Sequence, residues 1–199
     1  KAVPGDPKFA DINGTGPDGE IIPGADGKIT EADRIFMGDA NPKITAGLNN
    51  QISFKNFELS FFFEGVFDKV IVNVNKALYT FPSYLYGSNK AVWALDRWTP
   101  LNPSNETPSL TKNLTEQLVR SDWTIENGSF VRLRDVTLTY RLFFEKVTFI
   151  KNLRVFASAS NLLTITKYSG VNPDVWATDE NYNIMPFTRV YTLGLSASF

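Results

Sequence analysis

The residues with ligand chemistry gather in one stretch, "DINGTGPDGEIIPGADGKITEADR", running from Asp11 to Arg34. A twelve-residue calcium loop places carboxylate or amide oxygens at positions 1, 3 and 5, a glycine at 6, a backbone carbonyl at 7 and an acid at 12. "DGKITEAD" matches the second half, with Asp26, Gly27, the carbonyl of Lys28, apolar Ile29 and Asp33 in the last position. Asp11 and Asn13 match the first two ligand positions, and the insertion "TGPDGEIIPGA" separates the halves. This oxygen-only set suits a structural Ca²⁺ rather than a transition metal. Asp in place of Glu at the last position puts two-oxygen coordination in doubt. The same composition also describes a Gly/Asp-rich turn that holds no ion, and Asp18 or Thr15 serve equally well as gap-filling oxygens.

Composition limits what else the chain can do. Its 199 residues carry a net charge of −1 and contain neither Cys nor His. Disulfides, thiolate metal sites, a Cys nucleophile and the commonest general base are therefore excluded within it. Near-neutral charge without a basic cluster argues against nucleic acid as a partner. Glu58 and Glu64 face one way, but no His, Cys or motif stands beside them, so no catalytic residue, organic cofactor or enzyme activity is expected. No apolar run is long enough for a transmembrane helix. The opening "KAVPGDPKFA" is neither a signal peptide nor a plausible translation start, which points to processing or fragmentation upstream.

The elements that must position these residues are strands. In "KITAGLNNQISFK", Ile44, Ala46, Leu48, Ile52 and Phe54 share a face opposite Thr45, Gly47, Asn49, Gln51 and Ser53. After Lys55-Asn56, Phe57, Leu59, Phe61, Phe63 and Phe67 oppose Glu58, Ser60 and Glu64, so the two runs predict a tight hairpin. In "SFVRLRDVTLTYRL", Val136, Leu138, Tyr140 and Leu142 oppose Thr137, Thr139 and Arg141. "LRVFASASNLLTI" alternates less cleanly, because Phe156 and Leu162 fall on its polar side. The last run, "TRVYTLGLSASF", puts Tyr191, Leu193, Leu195, Ala197 and Phe199 opposite Thr192, Gly194, Ser196 and Ser198.

Soluble sandwich strands alternate in the same way, but two features favour a membrane barrel. Carboxylates interleaved with apolar residues suit a wet lumen better than a dry interior, where each would need a partner. The connections run long, short, long, short, long, so in an antiparallel sheet every long loop falls on one side, as in outer-membrane barrels. Aromatic belts are then expected from Phe54, Phe57, Tyr140 and Phe199 at the inner interface and from Phe67, Phe187 and Tyr191 at the outer one. Arg132 and Arg134 continue the parity of Val136. They are expected outward and above the bilayer, since arginine at the midplane costs about 2–4 kcal/mol. So few strands cannot close a barrel, and an open edge in lipid leaves backbone groups unsatisfied. The chain must pair with further polypeptide.

"SDWTIENGSFVRLRDVTLTY", "ASASNLLTITKYSGVNPD", "RWTPLNPSNETP", "PGDPKFADING" and "TRVYTLGLSASF" resemble segments of the SusC/RagA family of TonB-dependent outer-membrane transporters, in the family's order. The resemblance implies an all-β fold: the C-terminal strands of a large antiparallel transmembrane β-barrel, 22-stranded in the family, with long extracellular loops. It implies as partners the remaining N-terminal barrel and plug, TonB acting through the missing plug, outer-membrane lipid and a SusD-like surface lipoprotein serving as a lid. The expected function is import of an oligomeric nutrient, glycan or peptide. Residues 1–42 are then an extracellular loop, 43–68 a barrel hairpin and 69–128 a long extracellular loop. Two strands with a short periplasmic turn occupy 129–165, an extracellular loop 166–186 and the last strand 187–199, which ends in the periplasm. Family relatives carry the calcium-like loop as an uninterrupted "D-x-N-G-D-G-x-I". Tyr191, Leu193, Leu195 and Phe199 look like the β-signal that outer-membrane assembly machinery reads.

The loops also carry Trp93, Trp98, Trp123 and Trp176 with Tyr84 and Tyr86. Such rings either stack on a ligand or anchor the lid, or they supply the small core that a sixty-residue loop needs. The rival to the importer is a secreted, calcium-stabilised β-sandwich binding module, which would be soluble without detergent.

Overall fold

A computed structural model describes residues 3–82, 87, 89–110, 116–143, 152–175 and 185–198. The chain divides into two compact units, Lys1–Gly38 with Val72–Ile125, and Asp39–Ile71 with Glu126–Phe199.

In chain order, β1 (Asn13–Thr15) pairs antiparallel with β2 (Ile21–Pro23), and one turn of 3-10 helix follows at Glu31–Asp33. Strands β3 (Ile44–Phe54) and β4 (Phe57–Phe67) form a hairpin whose Lys55 adopts a left-handed conformation, φ 53°. Short strand β5 (Val70–Val72) leads into helix α1 (Val74–Thr80), capped by the Asn73 side chain accepting from the Lys76 amide at 3.1 Å. A 3-10 turn at Val92–Asp96, helix α2 (Glu116–Val119) and β6 (Ile125–Asn127), which pairs with β5, complete this stretch. The region expected to be one irregular loop thus carries local structure. Strands β7 (Phe130–Phe143), β8 (Asn152–Thr166) and β9 (Val190–Ser198) follow.

The second unit is built on one antiparallel sheet in the order β3-β4-β7-β8-β9. Pairing carries the alternation across all five strands. One face holds the rows Ile52–Leu59–Leu138–Ala157–Leu193 and Phe54–Phe57–Tyr140–Val155–Leu195. The other holds Gln51–Ser60–Thr137–Ser158–Thr192 and Ser53–Glu58–Thr139–Phe156–Gly194. The apolar rows are open: Leu138, Leu193 and Leu195 are all exposed. The polar face carries its own pairs. The Gln51 amide donates to Glu58 at 2.6 Å, Arg141 donates to the same carboxylate, and Ser160 donates to Asp135 at 2.8 Å. Phe156, the irregular residue of the fourth run, lies on this polar face with its ring over Gly194, where any side chain would collide with it.

A β-sandwich needs a second broad sheet to cover the apolar face. Among the described residues the only other sheets are the two-stranded β1–β2 and β5–β6. The sandwich rival is therefore not the fold.

A bulge breaks the parity of β7. Phe62 pairs with Asp135 but Phe63 pairs with Leu133, so Arg134 is the extra residue. Beyond it Val131 and Leu133 take over the apolar face, opposite Ile165 and Leu163, while Arg132 moves to the polar face between Glu64 and Thr164. The outward placement expected for Arg132 and Arg134 is thereby overturned, because one added residue moves every later side chain to the opposite face.

Candidate functional site

Three arrangements have the chemistry of a site. The first is centred on Arg132, whose side chain is 3% exposed. Its Nη1 lies 3.2 Å from Asp174 and 3.8 Å from Glu64, and its Nε donates to the Thr164 hydroxyl at 3.4 Å. The guanidinium lies 4.7 Å from the Phe130 ring centroid and 3.9 Å from that of Phe187. Phe187, expected in an aromatic belt facing lipid, instead stacks on this arginine. Arg134, half exposed, places Nη1 3.7 Å from Glu64, so both arginines address one carboxylate. The neighbouring Lys69 is buried and donates to the Val175 carbonyl at 2.9 Å. Burial pushes its ammonium below the usual lysine range, and the Asp174 carboxylate partly offsets this. Ser169 adds amide and hydroxyl bonds to Glu126 at 2.8 and 2.7 Å. Together these contacts tie the segments that follow β8 and precede β9 to the polar face at the ends of β4 and β7.

The second arrangement is the calcium-like loop, whose separated halves meet. The insertion folds as the β1–β2 hairpin, and the Gly24 amide donates to the Ile12 carbonyl at 2.9 Å, returning the chain to Asp11. Asp11 accepts from the amides of Asp26 (3.1 Å) and Gly27 (2.7 Å). Asp33 accepts from the amides of Ile12 (2.8 Å), Asn13 (3.1 Å) and Thr30 (2.7 Å), and Asn13 donates to the Ala32 carbonyl at 2.8 Å. Asp26 accepts from the Lys28 amide at 2.8 Å. Gly27 takes φ +84°, the left-handed turn that position 6 requires. The amide bonds, Thr30 foremost and then Ile12 and Asn13, hold the Asp33 carboxyl below its usual range. The donor set fits calcium in kind and order. Its acids are committed to amides, and among the described residues no three acidic side chains converge as a metal cluster.

The third is a groove of about 500 Å³ in the first unit, lined by Lys76, Trp93, Asn105, Glu106, Thr107, Asp122 and Trp123. In the same unit Val74, Ala77, Leu78, Phe81, Ala94 and Leu118 are buried. Trp123 meets Phe81 edge to face at 5.7 Å and donates its indole N–H to the Glu106 carbonyl at 2.9 Å. Trp93, 45% exposed, donates to Thr80 at 2.8 Å. Trp98 packs on Gly5, which leaves no room for a side chain there. Trp93 and Trp123 thus share a site, Trp98 packs elsewhere, and Trp176, Tyr84 and Tyr86 lie outside the described residues. Of the residues expected as an assembly signal, Tyr191, Leu193 and Leu195 line the apolar face of β9, and Phe199 lies outside the described residues.

An antiparallel sheet with one open apolar face and one hydrogen-bonded polar face has the pattern of a transmembrane barrel wall. The comparisons agree with it. The chain is 30% identical over 98% of its length to TonB-dependent receptor P3 of Formosa agariphila, and 27% identical over 99% to receptor P26 of the same organism. It is 28% identical over 87% to the TonB-dependent receptor SusC of Bacteroides thetaiotaomicron. The RagAB peptide importer in its open-open state superposes on 92% of the chain with TM-score 0.74 and 26% identity. The closed-closed state gives TM-score 0.74 and 27% identity over 94%. No protein-family model matches the chain. The chain is similar to a portion of these TonB-dependent transporters, SusC and RagAB among them. It spans about a fifth of the length of these relatives.

Proposed function

We propose that this chain supplies part of the wall and loops of a TonB-dependent outer-membrane importer. With the rest of the barrel and its plug, the importer takes up an oligomeric nutrient, glycan or peptide, and performs no covalent chemistry. The observation that carries this reading is the sheet, whose apolar rows suit lipid and whose charged and hydroxyl rows suit a solvated lumen. In this reading the long connections are extracellular, a SusD-like surface lipoprotein covers them, and TonB acts through the plug. The chain's similarity to TonB-dependent receptors and to a peptide importer supports it.

The test uses the full-length transporter in its own cell. The reading expects it in the outer-membrane fraction, copurifying with a surface lipoprotein, and expects TonB loss to abolish growth on its nutrient. A protein found in the soluble fraction would contradict it.

A structural calcium ion in the 11–33 loop is a second, separate reading. It is supported by the order of oxygen donors, by Asp11 accepting from the amides at positions 5 and 6, and by the left-handed Gly27 at position 6.

A further inference from the structure

The groove between Trp93 and Trp123 has a definite chemical bias. Both indole N–H groups are already engaged, by Thr80 and by the Glu106 carbonyl, so the tryptophans offer it ring surface and no donor. Lys76 donates to the Trp123 carbonyl at 2.7 Å and holds its ammonium 5.0 Å from the Trp123 ring centroid. The carboxylates of Glu106 and Asp122 have no hydrogen-bond or ion-pair partner among the described residues. Thr107 is only 7% exposed, yet it lines the groove with a hydroxyl that has no partner there. Ionised carboxylates only accept, and their strongest partners are charged N–H donors. An exposed indole face attracts the same cations. A neutral sugar would give these carboxylates hydroxyl donors, but it would leave the one Lys76 ammonium, already held by the Trp123 carbonyl, to offset two negative charges.

We infer that this groove is a subsite for a basic peptide side chain, an ammonium or guanidinium held by Glu106 and Asp122 against Trp93. The inference rests on the importer reading for its cargo and narrows that cargo to peptide carrying positive charge.

The experiment uses the detergent-purified full-length transporter and two fluorescein-labelled tripeptides, Gly-Arg-Gly and Gly-Gln-Gly, compared by fluorescence polarisation. The arginine peptide is expected to bind roughly tenfold tighter. Glu106→Gln with Asp122→Asn should remove that preference, Trp93→Ala should reduce it, and maltotriose should not compete. Equal affinity for the two peptides, no binding of either, or a preference that survives the double variant would each overturn the groove assignment. Cell fractionation and TonB dependence report on the importer reading independently, so failure of one is distinguishable from failure of the other.

Discussion

The guanidinium of Arg132 lies 3.9 Å from the ring centroid of Phe187, across the polar face of the sheet. Phe130 covers it at 4.7 Å, and Asp174 and Glu64 supply its charge partners. Acids and rings around an arginine so nearly buried offset the hydration that its charge has lost. It therefore acts as a post to which the chain on either side of the β8–β9 connection is tied.

Arg132→Met should cost about 2–3 kcal/mol, less than a fully buried pair because Asp174 is partly exposed. Thermal or denaturant unfolding in detergent measures it, and Arg132→Met with Asp174→Asn should show coupling between the two sites. An unchanged midpoint for the single variant would mean that the post bears no load.

Gly194 faces the Phe156 ring on the polar side. Gly194→Ala should destabilise by about 1–3 kcal/mol through overpacking, and Phe156→Leu in the same chain should recover part of that loss. The unfolding midpoints of the two singles and the double variant decide; simple additivity would show that the ring is not what fills the space.

Asp33 makes the 11–33 loop sensitive to acid. Its folded value lies below the ordinary aspartate value, so its contribution is fully present above that ordinary value and is lost as pH falls through the lower folded one. Amide exchange at Ile12 and Asn13, compared with Asp33→Asn at matched pH, should reveal protection that fades only at strongly acid pH and is absent in the variant.

Calcium should raise the protease resistance of the same loop in the full-length transporter, magnesium should do so less, and Asp11→Asn should abolish the difference. Identical digestion with calcium and with chelator would remove the calcium reading and leave the amide network as the loop's support.

The strands were legible because a period of two is imposed on every residue of a half-buried sheet. The hairpin of Ile44–Phe54 and Phe57–Phe67 was readable as two alternating runs, since Lys55-Asn56 interrupts them. The positions of Arg132 and Phe187 were not. A bulge adds one residue without changing the composition around it, and its trace was the switch from odd apolar positions, Val131 and Leu133, to even ones, Val136 and Leu138. The pairing of Lys69 with Val175 and of Arg132 with Asp174 joins residues far apart in sequence and has no periodic signature. The meeting of Asp11 with Gly27 was half legible: the motif was present, but that its insertion would close as a hairpin depended on pairing between Asn13–Thr15 and Ile21–Pro23.

The most direct test of the whole account is cysteine labelling along β7 in the full-length transporter, made practical by the absence of native cysteine from these 199 residues. Single cysteines at Val131, Arg132, Leu133, Val136, Thr137 and Leu138 would be treated in intact membranes with a water-borne maleimide and with a lipid-dissolved one. The account predicts water labelling at Thr137, little labelling by either reagent at Arg132, which Phe130 and Phe187 cover, lipid labelling at Val131, Leu133, Val136 and Leu138, and a change of parity at Arg134. An unbroken alternation through Arg134 would contradict the bulge. Water labelling at every position would contradict a wall that faces lipid.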